Sequence, residues 1–286
     1  MANLKEIRNR ITSVSSTMQI TSAMKMVSAA KLKKAQDAIT AMRPYADKLT
    51  ELLQGLSGSL DADSGSTYAD NRPVNKVLVV AITSNRGLCG AFNTNILKQT
   101  IFLMEDTFKG KQVDFMAIGK KGNDILGKNN TVMANHSDVF DDLTFENVAV
   151  IAEELMDLFD NGSYDRIELV YNKFKNAATQ LVTTEQFLPI VPADGDQSSS
   201  ADYIFEPSKV DIVEQLIPKS LKTQLYKAVR DSFASEHGAR MTAMHKATDN
   251  ATELRDQLKL TYNQARQAAI TNEILEIVGG AEALNN

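Results

Sequence analysis

The last 80 residues, Pro207 to Asn286, limit the fold of this chain more than any other stretch. Between Lys219 and Val278 there is no proline and a single glycine, Gly238. Apolar residues return there at steps of three and four: Met241, Met244, Ala247, Ala251, Leu254, Leu258, Tyr262, Ala265 and Ala269. That is the pattern of a helix carrying one apolar stripe. About 60 helical residues rise roughly 90 Å, whereas helices of globular domains average about 11–12 residues. Such a helix needs a partner along its stripe, because an isolated helix is marginal in water.

The other end of the chain offers that partner. Residues 3–56 read as a helix with a heptad pattern: Leu4, Ile7, Ile11, Val14, Met18, Thr21, Lys25, Ser28, Leu32, Ala35, Ile39, Met42, Ala46, Leu49, Leu53 and Leu56. The positions from Thr21 to Ser28 are polar, and the apolar stripe there shifts to Ile20, Met24 and Val27. A coil locally out of register is expected at that point. Pro44 removes a backbone donor and predicts a kink or a brief break. Gly55, Gly58 and the Asp61–Ser66 run mark a loop.

The middle of the chain changes period. Val74–Thr83 is a β-branched run that reads as a buried strand. A tight turn, Ser84–Gly90, leads into an amphipathic helix over Phe92–Phe108. Val113–Ile118 is a second strand, followed by a short helix over Asn123–Leu126. Thr144–Phe159 is a helix with Val148, Ile151, Leu155 and Leu158 on one face. Arg166–Phe174 and Gln180–Ile190 read as strands of a hairpin around Asn176, and Asp194–Asp202 as a polar loop. Strand–helix alternation implies a mostly parallel sheet with covering helices. The expected fold is therefore α/β. Residues 1–58 and 207–286 form a long antiparallel two-helix coiled coil, and residues 74–192 form an inserted Rossmann-like domain at one end of it.

Composition narrows the function. A net charge of -5 on 286 residues argues against a general nucleic-acid binder. No apolar run reaches 18 residues, so no membrane-spanning helix is expected. The N-terminus carries a charged periodic pattern where a signal peptide would have an apolar core. One cysteine, Cys89, leaves no internal disulfide and fits a reducing compartment. The charge is uneven: residues 1–40 carry a net +5, and the last twenty residues hold Glu273, Glu276 and Glu282 with no basic side chain. A basic helix on an acidic chain suggests an acidic partner surface.

Sites for chemistry are few. The Gly87–Gly90 turn, with Arg86 beside it, lies between a strand and a helix, where a phosphate could meet a helix N-terminus. It matches neither glycine-rich nucleotide fingerprint, and a plain strand-to-helix turn is the simpler reading. Cys89 reads as a small buried thiol. His136, His237 and His245 read as solvated, and the last two lack metal-pair spacing. Asp138, Asp141 and Asp142 read as a solvated acidic loop. No cofactor or metal is expected. The basic helix is different: Met24 and Met26 flank Lys25, and methionines are adaptable contacts on surfaces that repack. On the last helix Arg266, Gln267, Thr271 and Glu273 fall within two turns, suited to polar contacts with a surrounding protein.

Three stretches carry a resemblance: Leu4–Gln36, Thr83–Asn93 and the region from Ala239 to Leu284, with the run from Ile270 to Ala281 the most specific. Together they resemble the gamma subunit of F-type, proton-translocating ATP synthase of the bacterial type, over the whole chain and in order. The family commonly has Asp where this chain has Asn85, a difference confined to the turn. The resemblance implies a central shaft inside a hexamer of alternating alpha and beta subunits. The α/β domain would rest with the epsilon subunit on a membrane ring of c subunits. The shaft itself would hold no nucleotide site, and the complex would sit at the cytoplasmic side of the cell membrane. By position, Met24 and Arg240 would lie near acidic lever loops of the beta subunits, and Lys25, Arg86 and Cys89 are also expected among the partner-binding residues. Arg266, Gln267, Thr271 and Glu273 would meet a beta loop higher up, and Tyr203 and Glu206 would lie near epsilon and the c ring. A coiled-coil adaptor and a nucleotide-binding enzyme are the alternatives from the residues alone.

Overall fold

The computed structural model describes residues 4–57, 68, 72–190 and 209–284. The elements in chain order are α1 (Leu4–Ser57), β1 (Lys76–Ile82), α2 (Phe92–Phe102), β2 (Gln112–Ile118), α3 (Lys120–Leu126), β3 (Val132–Asn135), α4 (Phe145–Asp160), β4 (Arg166–Phe174), β5 (Gln180–Leu188) and α5 (Lys209–Leu284). They group into two compact units, Met1–Ser28 with Met241–Asn286, and Ala29–Arg240. Helices α1 and α5 supply residues to both.

The larger unit is built on a five-stranded sheet in the order β3-β2-β1-β4-β5. β3, β2, β1 and β4 are parallel, and β5 returns antiparallel to β4 as the expected hairpin. The near-continuous apolar runs of β1 and β2 follow from burial on both sheet faces. On one face Leu78, Val80, Ile82, Met116 and Ile118 pack against Val148, Ile151, Leu155 and Phe159 of α4 and against Leu221, Leu225 and Val229 of α5. On the other, Val77, Val79, Ala81 and Phe115 meet Phe92, Ile96 and Leu97 of α2. Helix α4 starts where Thr144 caps it, its hydroxyl accepting from Asn147 N at 3.3 Å, as Ser and Thr caps do.

β3 is absent from the sequence expectation. It is a four-residue edge strand whose residues alternate between half-buried and exposed, too short and too mixed to give a period. Leu103–Thr107 forms a π-helical turn after α2, closed by Phe108 N to Leu103 O at 2.8 Å. α1 runs through Pro44 without the expected break. Pro44 and Thr40, whose carbonyl loses its bond, both lie on the exposed side, so water can satisfy that carbonyl.

In the smaller unit α1 and α5 pair antiparallel. Met18 Sδ accepts from Thr252 Oγ1 at 3.3 Å, Thr248 Oγ1 donates to Thr21 Oγ1 at 2.8 Å, and Lys25 Nζ lies 3.4 Å from His245 Nδ1. The expected shift of register is corrected here. Thr21 and Ser28 are buried, while Ile20 and Val27 are 60% and 57% exposed. The heptad spacing simply continues through polar residues, and the Thr21 hydroxyl finds a partner in Thr248 across the seam. The α5 stripe is also corrected: Leu254 is 47% exposed, and Thr248 and Arg255 take seam positions. In the larger unit the same spacing buries Leu32, Ala35, Ile39, Ala46 and Leu49.

Candidate functional site

Three regions contain the residues singled out by sequence. The first is the Ser84–Gly90 turn in the larger unit. Ser84 Oγ donates to Arg86 O at 2.7 Å and accepts from Asn93 Nδ2 at 2.8 Å, and Ser84 N donates to Asn93 Oδ1 at 3.0 Å. Asn85 bridges two neighbouring loops, accepting from Lys120 N at 2.9 Å and donating from Nδ2 to Ser137 O at 2.9 Å. The apex residue Leu88 has φ 61° and is 65% exposed, a conformation uncommon for a branched apolar side chain.

Arg240 of α5 holds this turn. Its Nη2 donates to Arg86 O at 2.9 Å and to Gly87 O at 3.3 Å, and its Nε to Gly87 O at 3.4 Å. Its Nη1 donates to Glu236 Oε1 at 2.6 Å and lies 3.4 Å from His237 Nδ1. Arg240, Glu236 and His237 are all buried. Burial raises the Glu236 carboxyl, with Arg240 opposing it. Burial, then the Arg240 and Lys31 cations, push His237 down to about 3, so the imidazole is neutral. The expectation of a solvated His237 is corrected: its ring packs edge-on to Phe233, with centroids 4.5 Å apart. His136 is half-buried, with Nε2 3.0 Å from Glu154, and His245 is exposed. Cys89 is buried as expected, at 2% exposure. Burial raises its thiol, which keeps it protonated and unreactive. With Arg86 O and Gly87 O turned toward a guanidinium, that side of the turn presents acceptors, the opposite of a phosphate cradle.

The second region is the α1 face of the smaller unit. Met24 and Lys25 are half-buried there, and Ile20, Met26 and Val27 are exposed. The third is the end of α5. Arg266, Gln267, Thr271 and Glu273 are all exposed, and Thr271 bonds back to Gln267 O at 2.9 Å. Exposed beside them are Ile270, Ile274, Leu275, Ile277 and Val278. The antiparallel register brings Leu4, the first described residue of α1, to the neighbourhood of Arg266. Beyond that point no described residue of α1 remains to cover α5. The sequence expectation named the polar residues of this end and passed over the apolar ones. The legible signal was an apolar pattern outrunning its partner helix. Tyr203 and Glu206 lie outside the described residues. No described helix is long and apolar enough to cross a membrane.

Paired terminal helices, an inserted doubly wound domain and an uncovered apolar helix end define a shaft-type subunit that works through protein contacts. The family model described as ATP synthase matches residues 3–284. The chain is 75% identical over 285 residues to the ATP synthase gamma chain of Flavobacterium psychrophilum, covering 99% of each chain. It is 74% identical over 286 residues to that of Flavobacterium johnsoniae, covering all of both, and 46% identical over 286 residues to that of a Geobacter species, covering 99% of both. The chain belongs to the ATP synthase gamma chain family, and its place is the central shaft of that complex. The fold is also similar to that of a chain in the rotor of the Euglena gracilis mitochondrial ATP synthase, with TM-score 0.69 at 22% identity, covering 93% of this chain and 98% of that one.

Proposed function

We propose that the chain is a non-catalytic rotor that couples proton flow to ATP chemistry on other subunits. Residues 1–58 and 207–286 act as the shaft inside a hexamer of alternating alpha and beta subunits. Residues 74–192 act as its foot, with epsilon, on a c-subunit ring at the cytoplasmic side of the cell membrane. Tyr203 and Glu206 are assigned contacts near epsilon and the c ring.

One observation supports this reading most. The end of α5 leaves Ile270, Ile274, Leu275, Ile277 and Val278 exposed between polar residues. An apolar helix end of that kind requires a surrounding partner, since contiguous exposed apolar surface marks an interaction site. Arg266, Gln267, Thr271 and Glu273 supply the polar contacts, and Met24 and Lys25 the contacts on α1. As the shaft turns, each beta subunit meets a different face. Its conformational equilibrium shifts by the difference in contact free energy.

The test is reconstitution of this chain with matching alpha and beta subunits. ATPase activity and assembly should rise and saturate at one chain per hexamer. A folded chain that neither assembles nor activates would return the choice to an adaptor coil. The nucleotide-binding alternative is tested by titrating the free chain with ATP. No binding is expected, because the turn offers carbonyl oxygens where a phosphate needs donors.

A further inference from the structure

We propose that Arg240 is a positioning residue: it fastens the Ser84–Gly90 turn to α5 and so holds the exposed Arg86–Leu88 tip in one orientation. The argument is geometric. Two successive backbone carbonyls, Arg86 O and Gly87 O, converge on one guanidinium at 2.9 to 3.4 Å. The remaining guanidinium nitrogen is held by Glu236 at 2.6 Å. The fork is therefore fully engaged inside the chain, and it is buried. The turn it grips carries Leu88 at φ 61°. A branched residue stays in that region only where its surroundings dictate it. Ser84 and Asn93 fix the base of the turn, and Arg240 is the only one of these groups that joins it to α5. A planar guanidinium can span both carbonyls, whereas an ammonium cannot.

Cys89 makes the inference testable in the full-length free chain, independently of the rotary reading. It is the single cysteine of the sequence. It sits under the turn, its Sγ 3.3 Å from Asn93 Nδ2 and 3.9 Å from Arg86 O. Its labelling by a thiol reagent under native conditions reads opening of the turn. Arg240→Gln should label at least about tenfold faster, the effect of losing charge-assisted hydrogen bonds. The lost cation by itself works the other way, because Arg240 favours the Cys89 thiolate. Arg240→Lys should fall between wild type and Arg240→Gln. A wild-type rate in Arg240→Lys would mean that charge alone matters, and would overturn the role of the fork. The double variant Arg240→Gln with Glu236→Gln removes the carboxylate left unpaired. Labelling should stay fast, and a return to the wild-type rate would overturn the inference. Val148→Ala, which loosens the core under α4, should leave Cys89 labelling unchanged. Equal acceleration there would show that only global unfolding exposes the thiol, and would also overturn it.

Discussion

Thr21 of α1 and Thr248 of α5 share a hydrogen bond, 2.8 Å between their hydroxyl oxygens, at a position where a coiled coil ordinarily places two apolar side chains. Each hydroxyl also has an acceptor in its own helix, Met18 O 3.1 Å from Thr21 Oγ1 and Met244 O 2.8 Å from Thr248 Oγ1, so the single Thr248 hydrogen is shared between Thr21 and Met244. The seam therefore holds a polar pair whose two hydroxyl hydrogens both have acceptors. Replacing both with valine of similar shape should be nearly neutral or stabilising, by up to about 1 kcal/mol, because neither hydroxyl is orphaned. Urea unfolding of wild type, both single variants and the double variant would measure this. A loss of more than about 2 kcal/mol in the double variant would contradict it.

His237 gives a pH prediction. The native imidazole is held down to about 3 from an ordinary 6.5 by burial and the nearby cations. Between those values the unfolded chain binds a proton that the folded chain does not. Stability should thus be full above about pH 6.5 and fall as pH drops toward 3, with a slope of up to about 1.4 kcal/mol per pH unit. Glu236 and Asp231, raised by burial, act in the opposite sense. The His237 contribution is therefore read as the difference between wild type and His237→Gln. That variant should have a flatter acid limb in denaturant titrations at several pH values.

Asn85 uses both ends of its amide. Asn85→Asp keeps an acceptor for Lys120 N but sets a carboxylate oxygen against Ser137 O, which Nδ2 now reaches at 2.9 Å. A cost of about 1–3 kcal/mol is expected at neutral pH. Thermal unfolding would measure it, and amide exchange at Lys120 should change least because that bond survives.

Ending the chain after Glu276 removes ten residues, and ending it after Arg266 removes twenty. Side chains 266–281 are exposed in this chain, so both truncations should leave its unfolding midpoint within about 1 kcal/mol of wild type. Activity of the reconstituted complex should separate them. The shorter truncation keeps Gln267, Thr271 and Glu273, and the longer one deletes these contacts. Equal activity would remove those residues from the coupling surface.

Periodicity made much of the architecture legible. A three-and-four spacing over both ends specified two long helices and their pairing. Apolar runs at Val74–Thr83 and Val113–Ile118, with the hairpin of β4 and β5, specified the covered, mostly parallel sheet whose strands are Lys76–Ile82 and Gln112–Ile118. These are local properties, since the period of a run fixes which side of its element is buried. What stands opposite each position was decided only by the tertiary structure. Thr21 and Ser28 are buried and Ile20 and Val27 exposed, and the register of α5 supplies Thr248 as the partner of the Thr21 hydroxyl. His237 and Arg240 look like ordinary charged-face residues of a helix. Arg240 is buried where the Ser84–Gly90 turn, some 150 residues earlier in the chain, folds onto it, and His237 packs against Phe233 and Arg240. Sequence spacing carries no information about such a contact, because it depends on where two distant segments meet.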